Sequence, residues 1–199
     1  MPVDFEKQSY WRERFKSETS HEWLASSECF MAIVAPHLCG RGTQARILQL
    51  GSGTSDLQNR LRGAGYLDVT NVDFEPLAIE RGRRLEEAAF GEATLAYVVA
   101  DATQLDSDLP PRYVFDVVLD KSTADAVSCG GAAALLRMAD GVRKRLADGG
   151  VWISLSYSSS RFDVEGLPFD VEVIARILTP KLKDGNPDVY HYCYLLRPK

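Results

Sequence analysis

The stretch Arg46 to Ser55, which reads RILQLGSGTS, constrains this chain more than any other. Ile47, Leu48 and Leu50 make a short apolar run of the kind shown by a buried parallel strand. Gly51-Ser52-Gly53 follows at once, and a helical pattern opens at Asp56 and Leu57. Strand, glycine turn and helix make the first crossover of a nucleotide-binding α/β fold. Gly51 and Gly53 permit a tight turn and let a ligand approach the main chain. Asp56 stands where the dinucleotide fingerprint carries its third glycine, and a carboxylate there opposes a pyrophosphate. The turn suits a ligand with a nucleoside and a positive centre but no phosphate.

The strand ends that follow carry matching chemistry. Val69 to Val72 reads as a second strand ending in Asp73, about twenty residues beyond the first glycine, the spacing of the acid that holds ribose hydroxyls. Leu95 to Ala100 reads as a third strand ending in Asp101-Ala102, where a carboxylate can accept a hydrogen bond from the exocyclic amine of adenine. S-adenosylmethionine combines these features. Val114 to Leu119, apolar on both faces, reads as a central fourth strand. It delivers Asp120-Lys121-Ser122-Thr123 to the carboxyl edge, where open α/β sheets bind ligands. Methyl transfer is an in-line displacement by a lone pair, for which the protein supplies alignment and electrostatics. An amine acceptor would first have to lose a proton, which a carboxylate or a water path can take. Asp120 is the first candidate to orient the acceptor and Asp125 the second. Tyr10, Trp11 and Tyr157 are candidates for an aromatic wall around the amine.

The remaining elements follow from periodicity and turn residues. Phe5 to Lys16 is a charged, aromatic helical stretch holding Tyr10, Trp11 and Phe15, and Trp23 follows it. A second helix starts at Ser26 or Ser27, buries Phe30, Ile33, Val34 and Leu38, and is kinked by Pro36. Asp56 to Arg62 and Pro76 to Ala89 are helices, with Gly63-Ala64-Gly65 ending the first. Gln104 to Arg112 is a polar loop, and Ala132 to Ala147 is a helix stopped by Gly149-Gly150. Val151 to Tyr157 is a fifth strand. Phe169 to Leu178 and His191 to Leu196 form a hairpin across the loop Lys181 to Asp188, with Asn186-Pro187-Asp188 as its turn. The expected plan is one α/β domain over residues 1–199. Residues 1–45 form N-terminal lid helices, and 46–199 form a Rossmann-like seven-stranded core whose last strand inserts antiparallel.

Composition narrows the partners. The chain has 199 residues, 45% of them hydrophobic, which suffices for one domain with a core. A net charge of −5 and the absence of a basic patch argue against nucleic acid. Cys29, Cys39, Cys129 and Cys193 are scattered without metal-type spacing, so no metal is expected and they read as reduced thiols of a cytoplasmic protein. No apolar run is long enough to cross a membrane, and no signal peptide is evident.

The pieces YWRERF, HEWL, ILQLGSGTSDL, VTNVDF, FDVVLDKSTADAV and HYCYLLRPK resemble the class I S-adenosylmethionine-dependent methyltransferases. Within them they are similar to the elongation factor one-alpha lysine methyltransferases of the methyltransferase-like thirteen type. The resemblance spans nearly the whole chain. It implies S-adenosylmethionine as cofactor and a protein substrate, with elongation factor one-alpha the example. By the resemblance, Trp11 and Phe15 are lid aromatics near the cofactor, although the second is usually tyrosine. His21 stands where relatives carry another tyrosine. Gly51 and Gly53 frame the motif turn, Gly51 lying under the methionine moiety, and Ser52 replaces a frequent cysteine. Asp73 and Phe74 match ribose and adenine contacts, Asp101 and Ala102 the adenine edge. Lys121 matches a cofactor-proximal lysine that meets the methionine carboxylate. The group's DKGT-type motif appears here as DKST. The NPPY or DPPY motif of adenine and glutamine methyltransferases is absent after the fourth strand. A small-molecule methyltransferase and a cofactor-binding module without turnover are the competing readings.

Overall fold

The computed structural model describes residues 4–181, 183 and 185–199. Seven strands form one sheet in the order β3-β2-β1-β4-β5-β7-β6. They are β1 (Ile47–Leu50), β2 (Val69–Asp73), β3 (Ala96–Val99), β4 (Phe115–Lys121), β5 (Leu146–Ser156), β6 (Phe169–Leu178) and β7 (Tyr190–Pro198). The first five pair in parallel. β7 lies between β5 and β6, antiparallel to both, as the sequence predicts. The helices are α1 (Gln8–Ser17), α2 (Ser27–Cys39), α3 (Leu57–Gly63), α4 (Pro76–Phe90), α5 (Leu105–Asp108), α6 (Thr123–Ser128) and α7 (Ala132–Arg145).

Period-two alternation along the strands divides the core between the two faces of the sheet. Leu48, Leu50, Val118 and Trp152 pack with Leu135, Met138 and Val142 of α7. Ile47, Val117, Leu119 and Ile153 face the other way, against Phe30, Val34 and Leu38 of α2 and Leu57 and Leu61 of α3. β4 is the middle strand, as its two-sided apolar pattern predicts.

Several boundaries differ from the sequence expectation. Ser26 is the residue that caps α2, accepting from the Cys29 amide at 3.1 Å, and the helix runs through Pro36 to Cys39. The segment Gln104 to Arg112 contains the short helix α5. Arg145 explains it: its guanidinium donates to the carbonyls of Leu109 (2.7 Å), Pro110 (2.8 Å) and Leu105 (3.1 Å), satisfying groups that a helix end leaves open. That anchor also ends α7 at Arg145 instead of Ala147. Gly149-Gly150 then falls inside β5, where the β4–β5 register slips between Phe115 and Val117, and Gly149 takes φ +71°. The loop expected at Lys181 to Asp188 includes Leu182 and Asp184, which lie outside the described residues. Within it the Asn186 amide donates to the Lys183 carbonyl at 3.2 Å.

The order reverses at β1, which has β2 on one side and β4 on the other. The crevice beyond the carboxyl ends of these strands is where a doubly wound sheet can hold a ligand.

Candidate functional site

A cavity of about 600 Å³ occupies that crevice. From the core it is lined by Gly51, Gly53, Asp73, Phe74, Asp101 and Ala102, and from the N-terminal segment by Trp11, Phe15, Trp23 and Leu24. The floor is built by the glycine turn. Gly51 adopts φ +61°, and a Cβ there would stand 2.1 Å from Thr123 Oγ1. That hydroxyl donates to the Leu50 carbonyl at 2.8 Å, closing the end of β1 against α6. Gly53, at φ +54°, donates its amide to Asp73 Oδ2 at 2.9 Å, and the Glu75 amide donates to Oδ1 at 2.9 Å. Asp73 therefore ties the glycine turn to the end of β2 while facing the cavity. Burial pushes its carboxyl up to about 6, against the pull of the amides. Each of its oxygens keeps a second acceptor site. Asp101 accepts from the Thr103 amide and hydroxyl, both at 2.8 Å, and so fixes the turn that presents Ala102.

The N-terminal segment closes over this floor. Gln8 Nε2 donates to the Phe74 carbonyl at 2.5 Å, Arg12 pairs with Glu75 at 3.3 Å, and Thr54 Oγ1 donates to Glu18 at 2.7 Å. Trp11 packs between Phe15 (5.5 Å between centroids) and Trp23 (5.8 Å). Below them the Lys121 ammonium pairs with Glu22 and donates to the carbonyls of Ala25 (3.1 Å) and Trp23 (3.3 Å). Burial lowers the affinity of this ammonium for its proton, and Glu22 works in the opposite sense. Between the two carbonyls Leu24 turns through φ +65°, an unusual conformation for a side chain of that size.

Four sequence-predicted residues, Asp120, His21, Ser52 and Tyr10, are absent from the lining. Asp120 does not reach the cavity. β4 runs two residues further than expected, so Asp120 stays inside the strand, wholly buried, accepting from Trp152 Nε1 at 2.7 Å and the Ala124 amide at 3.0 Å. Burial pushes its carboxyl up to about 6. His21 is not part of the wall, and packs edge-on against Trp23 at 4.9 Å. Ser52 lies buried behind the turn, its amide donating to the Val72 carbonyl at 3.0 Å. Lys121 lines the cavity, and its three N–H donors are committed to the N-terminal segment, which it holds down. Tyr10 packs against Phe5 at 5.2 Å and is absent from the lining, whereas Trp11 and Tyr157 belong to it.

Asp125 does face the cavity. It accepts from Ser156 Oγ (2.5 Å), the Tyr157 amide (3.1 Å) and Arg161 Nε (2.7 Å), and thereby organises the end of β5. Sequence reasoning missed Glu6, Leu24, Val127 and Arg137 in the lining. It also missed the significance of serine in DKST. Ser122 takes φ +71°, a conformation natural to the glycine of the DKGT pattern. Ser122→Gly should raise the unfolding free energy by about 1 kcal/mol, read from the urea midpoint. An unchanged or lowered midpoint would mean that the Ser122 Oγ bond to Asp125 at 3.3 Å outweighs the backbone strain. Among the described residues, no group of three His, Cys, Asp or Glu side chains is placed to hold a metal ion.

No protein-family model matches the chain. It is 58% identical over 199 residues to methyltransferase srdJ of Neurospora crassa, covering 98% of this chain and 85% of that protein. It is 29% identical over 168 residues to EEF1A lysine methyltransferase 4 of Mus musculus, covering 78% of this chain and 62% of that relative. In fold it is similar to the N-methyltransferase NodS from Bradyrhizobium japonicum WM9 in complex with S-adenosyl-l-homocysteine. There the TM-score is 0.67 at 13% identity, over 95% of this chain and 99% of the other. TrmN from Thermus thermophilus gives a TM-score of 0.69 at 16% identity, over 94% of this chain and 53% of that one.

Proposed function

The chain belongs to the class I S-adenosylmethionine-dependent methyltransferases, and from that premise we propose that its acceptor is a lysine side chain of a protein, with an elongation factor of the one-alpha type as the leading candidate. One observation carries this reading. The cavity is roofed by Trp11, Phe15 and Trp23 at one end, while Tyr157 in its lining is 57% exposed. An aromatic wall that starts under a roof and ends in solvent suits a long, flexible side chain reaching in from another protein's surface. A substrate of that kind would put the protein in the cytoplasm. Among the described residues no helix is long and apolar enough to cross a membrane.

The residues present fit the cofactor. The bare backbone at Gly51 and Gly53 leaves room for the methionine part, Asp73 has free lone pairs for a ribose diol, and Phe74 and Ala102 flank the place for a base. Trp11 and Phe15 offer faces to a sulfonium, an attraction of about 0.5–2 kcal/mol. When bound, S-adenosylmethionine supplies an electrophilic methyl carbon. The chain's own share would be to hold the acceptor nitrogen in line with that carbon, with the aromatic roof placed to screen it from water. Radiolabelled S-adenosylmethionine, added with the protein to cell extract, tests the acceptor. A labelled protein band whose methyl group mass spectrometry places on lysine is expected. Label only in small molecules would overturn the reading.

A second expectation concerns pH. Ionised Asp73 accepts both ribose hydroxyls; protonated, it loses an acceptor site. S-adenosylmethionine affinity should therefore fall about tenfold between pH 7 and pH 5, and Asp73→Asn should bind weakly and without this pH dependence, by calorimetric titration. The raised carboxyl works in the opposite sense on the fold. It favours the folded state as pH drops from 6 toward the ordinary carboxylate value of 3.8, so acid loss of affinity does not come from unfolding at this group. A flat affinity profile would remove Asp73 from the ribose.

A further inference from the structure

Of the carboxylates that line the cavity, three already accept hydrogen bonds from the protein. Asp73 is held by two amides, Asp101 by Thr103 and Gln104, and Asp125 by Ser156, Tyr157 and Arg161. Glu6 is different. It lines the same cavity, and among the described residues its carboxylate has neither a hydrogen-bond donor nor a cation within ion-pair distance. The segment that carries it is fixed. Phe5 packs against Tyr10 (5.2 Å) and Trp23 (6.0 Å), and its carbonyl accepts from Trp11 Nε1 at 2.6 Å. The neighbouring Glu6 is thus carried across the crevice toward the far end of α6, where its Cβ lies 3.7 Å from the place a Cβ on Gly130 would occupy. The cations of the same lining are Lys121, which is paired with Glu22, and Arg137, which makes no ion pair with Glu6 among the described residues, so this half-buried carboxylate is an unfilled half of a pair.

We propose that Glu6 is the anionic end of an acceptor subsite for a primary alkylammonium. This inference rests on the lysine reading above and names the group that selects it. The ammonium supplies the charge and the N–H donors that Glu6 lacks, while Trp23 and Tyr157 supply apolar and cation-attracting faces for the stem. A neutral hydroxyl acceptor leaves the carboxylate without its cation, so the subsite discriminates by charge. The ammonium cannot react until it gives up a proton, and the same carboxylate is placed to take it. An N–H bond breaks, an O–H bond forms on Glu6, and the electron pair left on nitrogen becomes the nucleophile.

The test is calorimetric titration of n-butylammonium chloride into the full chain saturated with S-adenosylhomocysteine, for the unaltered protein and for Glu6→Gln. The variant keeps the shape of the side chain and removes its charge. Butylammonium should bind at least tenfold more weakly to the variant, with S-adenosylhomocysteine affinity unchanged and n-butanol indifferent to the substitution. Equal butylammonium affinity in the two proteins, or no binding to the unaltered one, overturns the subsite. The lysine reading fails separately: if lysine in extract proteins is labelled equally well by Glu6→Gln, only the subsite is lost. If the unaltered protein labels no lysine, the acceptor assignment is lost whatever the titration reads.

Discussion

Gly51→Ala should leave a protein that folds poorly and binds no S-adenosylmethionine at concentrations that saturate the unaltered chain. Two separate penalties meet at this atom. At φ +61° a residue with a Cβ pays about 1–2 kcal/mol for the left-handed backbone. The new carbon would also stand 2.1 Å from Thr123 Oγ1, and crowding of this kind costs about 1–3 kcal/mol after relaxation. Relief requires Thr123 to move, which breaks its bond to the Leu50 carbonyl and lifts the start of α6 off the end of β1. A total loss of about 2–5 kcal/mol is expected in urea unfolding. Calorimetry should show more than a tenfold fall in cofactor affinity in whatever fraction remains folded. Gly53→Ala is the control: it has a similar φ, +54°, but the nearest heavy atom to its added Cβ is 4.0 Å away, so it should suffer only the backbone penalty. Equal behaviour of the two variants would mean that the Thr123 contact does not matter.

Lys121→Met should free the N-terminal segment while keeping the apolar stem in place. The side chain is 6% exposed and its partner Glu22 is 29% exposed. Removing one partner of a fully buried pair costs about 3–5 kcal/mol, but water reaches Glu22, so a loss of about 1–3 kcal/mol is the reasonable expectation. The loss should be local. Amides of residues 11–25 should exchange with solvent at least tenfold faster, those of β4 should not change, and methyl transfer should drop at least tenfold. In the unaltered protein the same amides should slow on adding S-adenosylmethionine. If the segment exchanges at the same rate with and without Lys121, and with and without cofactor, the aromatics are ordinary packing and the lid assignment fails.

The sheet was legible because its strands carry their own signals. β1 and β4 are apolar on both faces, and the glycine turn after β1 names the fold class before any distance is known. Asp73 and Asp101 could be placed because strand-end acids have a fixed relation to that turn. Asp120 and Lys121 could not. Whether a charged pair at a strand end faces ligand or core depends on where the strand stops, and two further residues of ladder turned Asp120 toward Trp152. Lys121 was assigned to the cofactor by resemblance alone; its contacts with Glu22, Trp23 and Ala25 lie about a hundred positions earlier, and no local pattern reports them. Glu6 and Leu24 were invisible for the same reason. The helix at Leu105–Asp108 depends on the guanidinium of Arg145, again a distant residue.

The placement of β7 has a consequence for how the sheet is completed. β6 is made before β7, yet its sheet neighbour is β7 and not β5. Until Tyr190–Pro198 arrives, β6 has no ladder to join, and the flank of β5 that carries Trp152 to Ser156 stays open. A chain made as far as β6 therefore holds every strand of the crevice but not the strand that joins β6 to the sheet. The nascent chain has to carry a catalytic half beside an unpaired, aggregation-exposed edge. Pairing of Tyr190–Pro198, and not formation of the glycine turn, is the event that covers this flank of β5 and gives β6 its ladder.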